Sequence, residues 1–269
     1  MTTVTPEATA YAVDAVGVTL PSAAGKLEIL KDISFTVGEG EIVGIVGRSG
    51  TGKTTLLRVL SGLLPATAGT LTAGQKPVAG VPDGVVTVFQ DYGQALLPWR
   101  TVGRNVELGL EAAGVPRDER RDRADEALRM VHLDGKRNDY PWRLSGGMQQ
   151  RVQIARALAL EPRILLMDEP FGALDALTKA SLQDELLQVQ QRTGATILFI
   201  THDIGEAIYI SDRVIVMTAR PGRVKLDVAV DEPKPRSLDF LTSPSFTELE
   251  HQILESVQEE IMAARAAAA

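Results

Sequence analysis

The stretch Gly47-Arg48-Ser49-Gly50-Thr51-Gly52-Lys53-Thr54 constrains the fold more than any other part of this chain. It follows an apolar run, Glu41 to Val46, that is typical of a buried strand, and it precedes Leu56, Leu57 and Leu60 at helical spacing. A strand, a glycine-rich loop and a helix in this order form a cradle whose backbone N–H groups surround a phosphate. The order predicts an α/β core with a phosphate site at the start of the helix.

The residue types of this loop suit a nucleoside triphosphate. Lys53 would place a positive charge between the β- and γ-phosphates, and the Thr54 hydroxyl would be a ligand of Mg²⁺. The alternative interpretation is a glycine-rich turn that only caps a helix. The residues expected to bind the nucleotide here are Gly47, Arg48, Ser49, Gly50, Thr51, Gly52, Lys53, Thr54 and Thr55.

An acidic pair follows a second apolar strand. The run Ile164 to Met167 leads directly into Asp168 and Glu169. Because neighbouring residues of a strand point to opposite sides, the two carboxylates should have different roles. Asp168 suits a Mg²⁺ shell, and Glu169 suits a general base for water aligned on the γ-phosphate.

Two more polar residues stand where strands of the predicted sheet end. Gln90 ends the strand Val85 to Phe89, and His202 follows the strand Ile197 to Thr201. Parallel sheets bind ligands beyond the carboxyl ends of their strands. We therefore expect Gln90 to contact the metal or the attacking water and His202 to donate to the γ-phosphate. A purely structural role is the alternative for each.

A second anion-binding pattern lies at Leu144-Ser145-Gly146-Gly147-Met148-Gln149-Gln150-Arg151, which opens a helix predicted to reach Leu160. Ser145 suits the helix N-cap, and Gly146 and Gly147 leave backbone N–H groups uncovered at the positive end of the helix dipole. The chain thus has two phosphate sites, and the residues alone do not say why it needs both.

The rest of the chain divides into segments of different character. Alternation from Tyr11 to Val37 predicts two or three antiparallel strands, and the residues between Asp91 and Arg163 are helical and charged in pattern. From Ile164 to Met217 strands alternate with helices, which is typical of a parallel sheet covered on both faces. We predict a nucleotide-binding core over residues 11–92 and 161–230, an inserted helical subdomain over 93–160, and a linker with a C-terminal helix over 231–269.

Composition excludes several classes of protein. The chain has no cysteine, which excludes a disulfide framework and a cysteine zinc site. Its net charge of −7 with scattered basic residues argues against a nucleic-acid partner. The start lacks a secretory signal, and no apolar run approaches the roughly 18 to 20 residues of a membrane helix. We expect a cytosolic protein.

Together these motifs resemble the nucleotide-binding subunit of ATP-binding-cassette (ABC) transporters. The resemblance spans roughly Val13 to Arg220, and the motifs that carry it are the phosphate loop, Gln90, Leu144 to Arg151, Asp168-Glu169, Gly172-Ala173-Leu174-Asp175 and His202. It implies the family's phosphate-loop fold, with a mixed, mostly parallel sheet, an antiparallel β subdomain and an inserted α-helical subdomain.

The resemblance also implies a homodimer. Two such subunits pack head to tail in this family, so Ser145 and Gly147 of one chain would hold the γ-phosphate bound to the loop of the other. Asp175 resembles the residue that links the two sites across the interface. The two anion patterns of one chain would then be halves of sites that only a dimer completes.

Within the family, Leu96-Leu97-Pro98-Trp99-Arg100-Thr101-Val102 and Ala219-Arg220-Pro221-Gly222-Arg223 resemble the ATPases of nitrate, sulfonate, taurine and pyrimidine-precursor importers. This implies an ATPase that uses ATP and Mg²⁺ and docks on integral membrane permease subunits at the cytoplasmic face of the inner membrane. An extracytoplasmic solute-binding protein would deliver the solute. Trp99 would lie beside the groove for a permease coupling helix, or it would simply plug the helical insertion.

Three other functions stay open at this point. A non-transport ABC ATPase, acting as a mechanical or scaffolding subunit, would share every motif. An ATPase of the DNA-repair type would typically insert coiled coils or zinc modules between the phosphate loop and the stretch that corresponds to Leu144 to Arg151. This chain has only Thr55 to Arg143 there. A plain phosphate-loop kinase would leave the stretch Leu144 to Arg151 without a purpose.

One departure from the family pattern concerns the base. The family usually places an aromatic residue ahead of the second strand to stack on adenine, and by spacing that position falls near Leu20. No aromatic residue stands between Tyr11 and Phe35. The adenine contact is therefore undetermined by the sequence, as are the transported solute and the role of the last helix, which is predicted over Ser245 to Ala264.

Overall fold

The computed structural model describes residues 9–22, 25–90, 95–172, 174–218 and 221–268, with side chains as far as Glu259. The chain forms two compact units. We call Met1–Asp83 with Thr196–Ala269 the discontinuous unit and Gly84–Ala195 the central unit. The polar opening segment to Thr5, which the sequence predicts to be frayed, and the motif residues Ala173, Ala219 and Arg220 lie outside the described residues.

The described residues form strands and helices that confirm the predicted α/β phosphate-loop fold. The strands are β1 (Thr9–Ser22), β2 (Gly25–Gly38), β3 (Ile42–Val46), β4 (Ala68–Ala73), β5 (Lys76–Pro77), β6 (Val85–Val88), β7 (Ile164–Asp168), β8 (Thr196–Thr201), β9 (Arg213–Met217) and β10 (Val224–Ala229). The α-helices are α1 (Lys53–Leu60), α2 (Val102–Val106), α3 (Leu108–Ala112), α4 (Arg117–Met130), α5 (Gly146–Leu158), α6 (Ala176–Thr193), α7 (Ile204–Ile210) and α8 (Pro244–Ala268). In the described part of the chain, no helix is both long and apolar enough to cross a membrane.

Strand β3 is the centre of the parallel sheet in the discontinuous unit. β8 and β9 flank it in parallel, and β10 extends the sheet antiparallel to β9. All residues of β3 and β8 are buried, as expected for a sheet that is covered on both faces. The register places Thr201 beside Val46, so the residues that follow these two strands emerge at the same edge of the sheet.

A second sheet of the discontinuous unit is antiparallel, with the order β2-β1-β4-β5. β1 and β2 confirm the strands predicted between Tyr11 and Val37. β4 pairs with the other edge of β1. This strand was not predicted from the sequence. Its only buried residue is Leu71, so the segment lacks the alternation that marks a strand.

The central unit pairs β6 with β7 in parallel and packs α5 against α2, α4 and α6. The helical spacing of Val102, Val106 and Leu110 predicts one helix capped by Thr101. Thr101 does cap α2, its side chain accepting from the Arg104 N–H at 3.4 Å. The helix predicted to contain Val102, Val106 and Leu110 is two short helices, α2 and α3, that meet at Glu107. α4 buries Ala124, Ala127 and Leu128, and the predicted charged face is largely exposed.

Arg236 attaches the C-terminal segment to the discontinuous unit. Its guanidinium is 5% exposed and donates to five backbone carbonyls, those of Ile208, Tyr209, Ser211, Val230 and Glu232. Carbonyls at a helix C-terminus lack intrahelical partners, and three of these five stand where α7 ends. The ring of Phe240 lies 5.4 Å from the guanidinium carbon, and α8 follows with Phe246 and Ile253 buried. The last helix therefore packs on this unit.

We predict that Arg236→Ala lowers the free energy of unfolding by about 2–4 kcal/mol, because it leaves several buried carbonyls without a hydrogen-bond donor. Arg223→Ala is the matched control, since its ion pair with Asp32 at 3.0 Å is exposed and should contribute under about 1 kcal/mol. Urea denaturation of both variants measures the difference. Equal losses would contradict the anchoring role.

Candidate functional site

The phosphate loop turns sharply between β3 and α1. Gly50 and Gly52 adopt left-handed φ angles of 81° and 93°, which favour glycine over residues with a side chain. Gly47 is needed for space, because a Cβ there would lie 2.8 Å from the Met217 carbonyl oxygen. α1 begins at Lys53, so its first N–H groups face the loop.

Lys53 is buried within this loop. Its Nζ donates to the carbonyls of Gly47 at 2.6 Å and Arg48 at 3.0 Å, while the Thr51 hydroxyl donates to the Arg48 carbonyl at 3.0 Å. The loop carbonyls therefore hold the ammonium group of Lys53 in place. Thr54 is exposed on the first turn of α1.

Gly222 supports the loop from behind, and the sequence analysis gave it no structural role. A Cβ at this position would lie 2.1 Å from the Thr51 carbonyl oxygen. Gly222 is held by its own backbone, which donates to Ile29 at 2.8 Å and accepts from Lys31 at 3.0 Å. The Pro221-Gly222 pair after β9 signals a turn, but only the fold reveals what that turn contacts.

His202 follows β8 directly and is exposed. Because Thr201 lies beside Val46, His202 leaves the sheet at the same edge as Gly47. The next residue, Asp203, caps α7 by accepting from the Glu206 N–H at 3.0 Å. The strand end therefore places His202 at the edge that the sequence predicted.

The acidic pair lies where β7 ends in the central unit. Asp168 is the last residue of the strand and is buried. Glu169 is beyond the strand, half-buried, with a left-handed φ of 47° that is strained for a residue with a side chain. The two carboxylates do differ in burial. The difference arises because the backbone turns at Glu169, and not because the two side chains alternate along one strand.

Gln90 and Glu169 are in direct contact. The Gln90 Nε2 donates to the Glu169 Oε2 at 2.8 Å, although 79 residues separate them in the sequence. The amide nitrogen of Gln90 thereby holds one carboxylate oxygen of Glu169. Two of the predicted catalytic side chains thus form one unit at the ends of β6 and β7.

The second anion pattern is a capped helix start. Ser145 is the N-cap of α5, and its side chain accepts from the Met148 N–H at 3.3 Å. Gly146 is exposed and its position is open, whereas a Cβ on Gly147 would lie 2.5 Å from Cγ2 of Thr178. The helix ends at Leu158, two residues before the predicted end.

Asp175 lies close to this helix start. Its carboxylate caps α6 by accepting from the Thr178 N–H at 3.1 Å and from the Thr178 hydroxyl at 2.7 Å, and these bonds lower the pKa of Asp175. Thr178 therefore touches both Asp175 and the space above Gly147. The structure brings the two motifs together within one chain.

A buried ion pair holds α5 against α6. Arg151 donates to Glu185 at 2.9 Å, and Ser181 donates to the same carboxylate oxygen at 3.0 Å. Burial raises the pKa of Glu185, and the Arg151 charge opposes that shift. Arg151, the last residue of the Leu144 to Arg151 stretch, thus fixes the helix that Ser145 caps.

Metal-binding residues were predicted at Thr54, Gln90 and Asp168. Each supplies an oxygen atom, which is the donor that Mg²⁺ prefers. Among the described residues no group of three or more His, Cys, Asp or Glu side chains could hold a metal alone.

Comparisons with known proteins give the same family over most of the chain. A family model described as ABC transporter matches residues 30–172. The taurine import ATP-binding protein of Pseudomonas fluorescens is 44% identical over 234 residues, which cover 85% of this chain and 88% of that protein. The nitrate import ATP-binding protein of Synechococcus elongatus is 40% identical over 246 residues, 90% of this chain but 37% of that protein.

A solved structure gives the same result for the fold. It is the dimeric post-hydrolysis state of an ATP-binding cassette bound to ADP and phosphate, with a TM-score of 0.72 and 33% identity. The match covers 83% of this chain and all of that one.

We predict that Gly147→Ala lowers the free energy of unfolding by about 1–3 kcal/mol, because its methyl group meets Thr178. Gly146→Ala is the matched control and should be neutral or stabilising by up to about 1 kcal/mol, since its position is open and alanine favours helix. Thermal unfolding measures both.

Adding Thr178→Ser to Gly147→Ala removes the obstructing methyl group and keeps the hydroxyl bond to Asp175. This double variant should recover most of the lost stability. A double variant as unstable as Gly147→Ala would show that the contact with Thr178 is not the cause.

Proposed function

The chain belongs to the ABC transporter family as an ATP-binding subunit and an ATPase, and we propose that it powers import of a small solute through a membrane permease. The observation that carries the proposal is that two parts of the chain each suit an anion, the loop around Lys53 and the capped start of α5 at Ser145. A chain that only bound ATP would need the first and not the second.

ATP binds at the phosphate loop. The Nζ of Lys53 exchanges a loop carbonyl for phosphate oxygens, and the N–H groups of the first turn of α1 face the β-phosphate. His202, at the same sheet edge, donates to the γ-phosphate. These contacts spread the charge that develops on the γ-phosphoryl group.

Hydrolysis uses Glu169 as the general base. Gln90 holds the Glu169 side chain just beyond β7, where its carboxylate accepts a proton from water. The water oxygen forms a bond to the γ-phosphorus as the bond to the bridging β–γ oxygen breaks, and ADP departs with the electron pair. The hydrogen bond from Gln90 supports a positioned rather than a freely rotating carboxylate.

Thr54, Gln90 and Asp168 are the residues that hold Mg²⁺ in this proposal. Their hydroxyl, amide and carboxylate oxygens form a donor set of the kind Mg²⁺ accepts, together with phosphate oxygens and water. The ion supplies charge neutralisation on the β- and γ-phosphates.

Two copies of the chain form a head-to-tail homodimer around two nucleotides. Ser145 and Gly147 of one copy contact the γ-phosphate held by the other, and Asp175 joins the two sites. The similar cassette is dimeric with ADP and phosphate bound, which supports this assembly. The fixed geometry of Ser145, Gly147 and Thr178 supports a role in positioning rather than in folding alone.

The permease contact is at Trp99, which is 73% exposed. Its loop is rigid, because the buried Asn105 side chain accepts from the Leu97 N–H at 2.7 Å and donates to the carbonyls of Leu97 and Arg100 at 3.1 Å. An exposed tryptophan on a fixed loop is typical of an interface anchor. We place the chain at the cytoplasmic face of the inner membrane, bound to the permease.

The solute is of the nitrate, sulfonate, taurine or pyrimidine-precursor type, delivered by an extracytoplasmic solute-binding protein. The two relatives with similar identity are named for taurine and nitrate. Since relatives of one ATPase type serve different solutes, the choice of solute belongs to the permease and binding protein.

We predict that Glu169→Gln reduces ATP hydrolysis by at least about 100-fold while ATP binding is retained. Glutamine keeps the shape and can still accept from Gln90, but it cannot take a proton from water. Phosphate release and nucleotide titration measure the two properties. Glu161→Gln, on an exposed side chain of the same unit, is the control and should hydrolyse ATP normally.

We predict that Trp99→Ala lowers copurification with the permease encoded by a neighbouring reading frame by at least about tenfold, the size of an interface hot spot. Leu238→Ala, which removes an apolar side chain that is 67% exposed in the other unit, should copurify as the unsubstituted chain does. Membrane extraction with a tagged chain measures this. Failure of the unsubstituted chain to retain any permease would favour a non-transport ABC ATPase.

A further inference from the structure

An exposed aromatic pair directly precedes the capped start of α5. Tyr140 and Trp142 stack with ring centroids 5.8 Å apart and planes at 14°. Trp142 is 64% exposed and Tyr140 is 37% exposed. Large aromatic side chains are usually well buried, so an outward-facing pair beside a predicted nucleotide contact needs an explanation.

The pair stands on a fixed support. Trp142 is in a 3-10 turn, Pro141–Arg143, whose Pro141 is buried, and Leu144 after it is buried as well. The side chain of Gln149 on α5 donates to the carbonyls of Pro141 at 3.0 Å and Leu144 at 3.3 Å. The aromatic platform and the helix start therefore move as one piece.

The chemistry of the platform suits a nucleotide base. The guanidinium carbon of Arg143 lies 5.0 Å from the Trp142 ring centroid, which adds a positive charge beside an aromatic face. Flat aromatic faces next to cationic groups bind bases by stacking and phosphates or ribose by charge and hydrogen bonding.

Before the central unit begins, the described part of the chain has no exposed aromatic side chain. Met1–Asp83 contains two aromatic residues, Tyr11 and Phe35, and both are buried. The Tyr11 hydroxyl donates to the Leu60 carbonyl at 2.8 Å, and burial raises the pKa of Tyr11, so its ring is part of the core. Near the expected base position the chain instead presents the cross-strand pair Leu20 and Leu27, which is only partly buried.

We propose that Trp142 of one subunit stacks on the adenine of the ATP that the phosphate loop of the second copy holds. The base then lies between Leu20 of one copy and the Tyr140–Trp142 platform of the other. This rests on the proposed head-to-tail dimer, in which Ser145 meets the γ-phosphate of that same ATP. Trp142 is three residues from Ser145, a separation of at most about 10 Å, which suits the length of the nucleotide between its γ-phosphate and its base.

The consequence is that recognition of the base is made in the dimer. A monomer would hold ATP by its phosphates with little gain from the base. Closing the dimer would add the stacking contact, so the base strengthens dimerisation more than it strengthens initial binding.

The first experiment measures dimer formation against ATP concentration by light scattering, in the Glu169→Gln background so that ATP is not consumed. Trp142→Ala should raise the ATP concentration at half-dimerisation by about fivefold or more, the effect expected from losing one base–aromatic stack. Trp142→Phe keeps an aromatic face and should recover most of the affinity. Leu238→Ala is the control for loss of an exposed apolar side chain and should not shift the midpoint.

The second experiment separates a contact with the other copy from a contact within the chain. Ser145→Arg blocks the γ-phosphate contact and keeps the chain monomeric, so ATP titration there reports the loop alone. Adding Trp142→Ala to this variant should change the ATP dissociation constant by less than twofold. A rise of fivefold or more would place the stack within one chain and overturn the proposal.

The outcomes distinguish the inference from the function on which it rests. If the Glu169→Gln chain forms no dimer with ATP, the head-to-tail dimer is wrong and this inference is wrong with it. If that chain dimerises and Trp142→Ala dimerises at the same ATP concentration, only the stacking role is overturned. Thermal unfolding of each variant checks that it is folded.

Discussion

The site depends on a positive charge held where a strand ends. Lys53 is buried in the loop between β3 and α1, and the carbonyls of Gly47 and Arg48 hold its ammonium group. A buried ammonium is costly unless it has such partners, and those partners are carbonyls that a phosphate can replace. The surrounding glycines follow from this constraint, because a backbone wound so tightly has no room for a Cβ at Gly47 or Gly222.

The central unit positions several candidate site residues without burying them. Gln90 holds Glu169 at the ends of two parallel strands, and Thr178 fixes Asp175 beside the start of α5. Each of these side chains is exposed or half-buried, and each is oriented by a hydrogen bond rather than by packing. A site built this way has well-placed groups that still face outward, which suits residues whose partner is a nucleotide or another copy.

Local features of the chain were predictable because their causes are local. The loop, the caps at Thr101 and Ser145, and the order of strands and helices each follow from residues within a few positions of one another. Strand β4 was missed because Leu71 is its only buried residue, and the long helix after Thr101 was wrong because Glu107 lies between two short helices. The roles of Gly222 and Arg236 were missed because both depend on contacts with distant backbone.

By itself the sequence determined the class of fold, the phosphate loop and the residue types of the chemistry, because glycine, lysine and carboxylate at fixed spacings have few other uses. Only the tertiary structure decided which of those residues meet. It joined Gln90 to Glu169 across 79 residues, and it gave Glu169 a strained backbone where the sequence predicted a strand. It also buried Tyr11 in the core and left Trp142 exposed, because burial depends on how segments pack and not on the residue type alone.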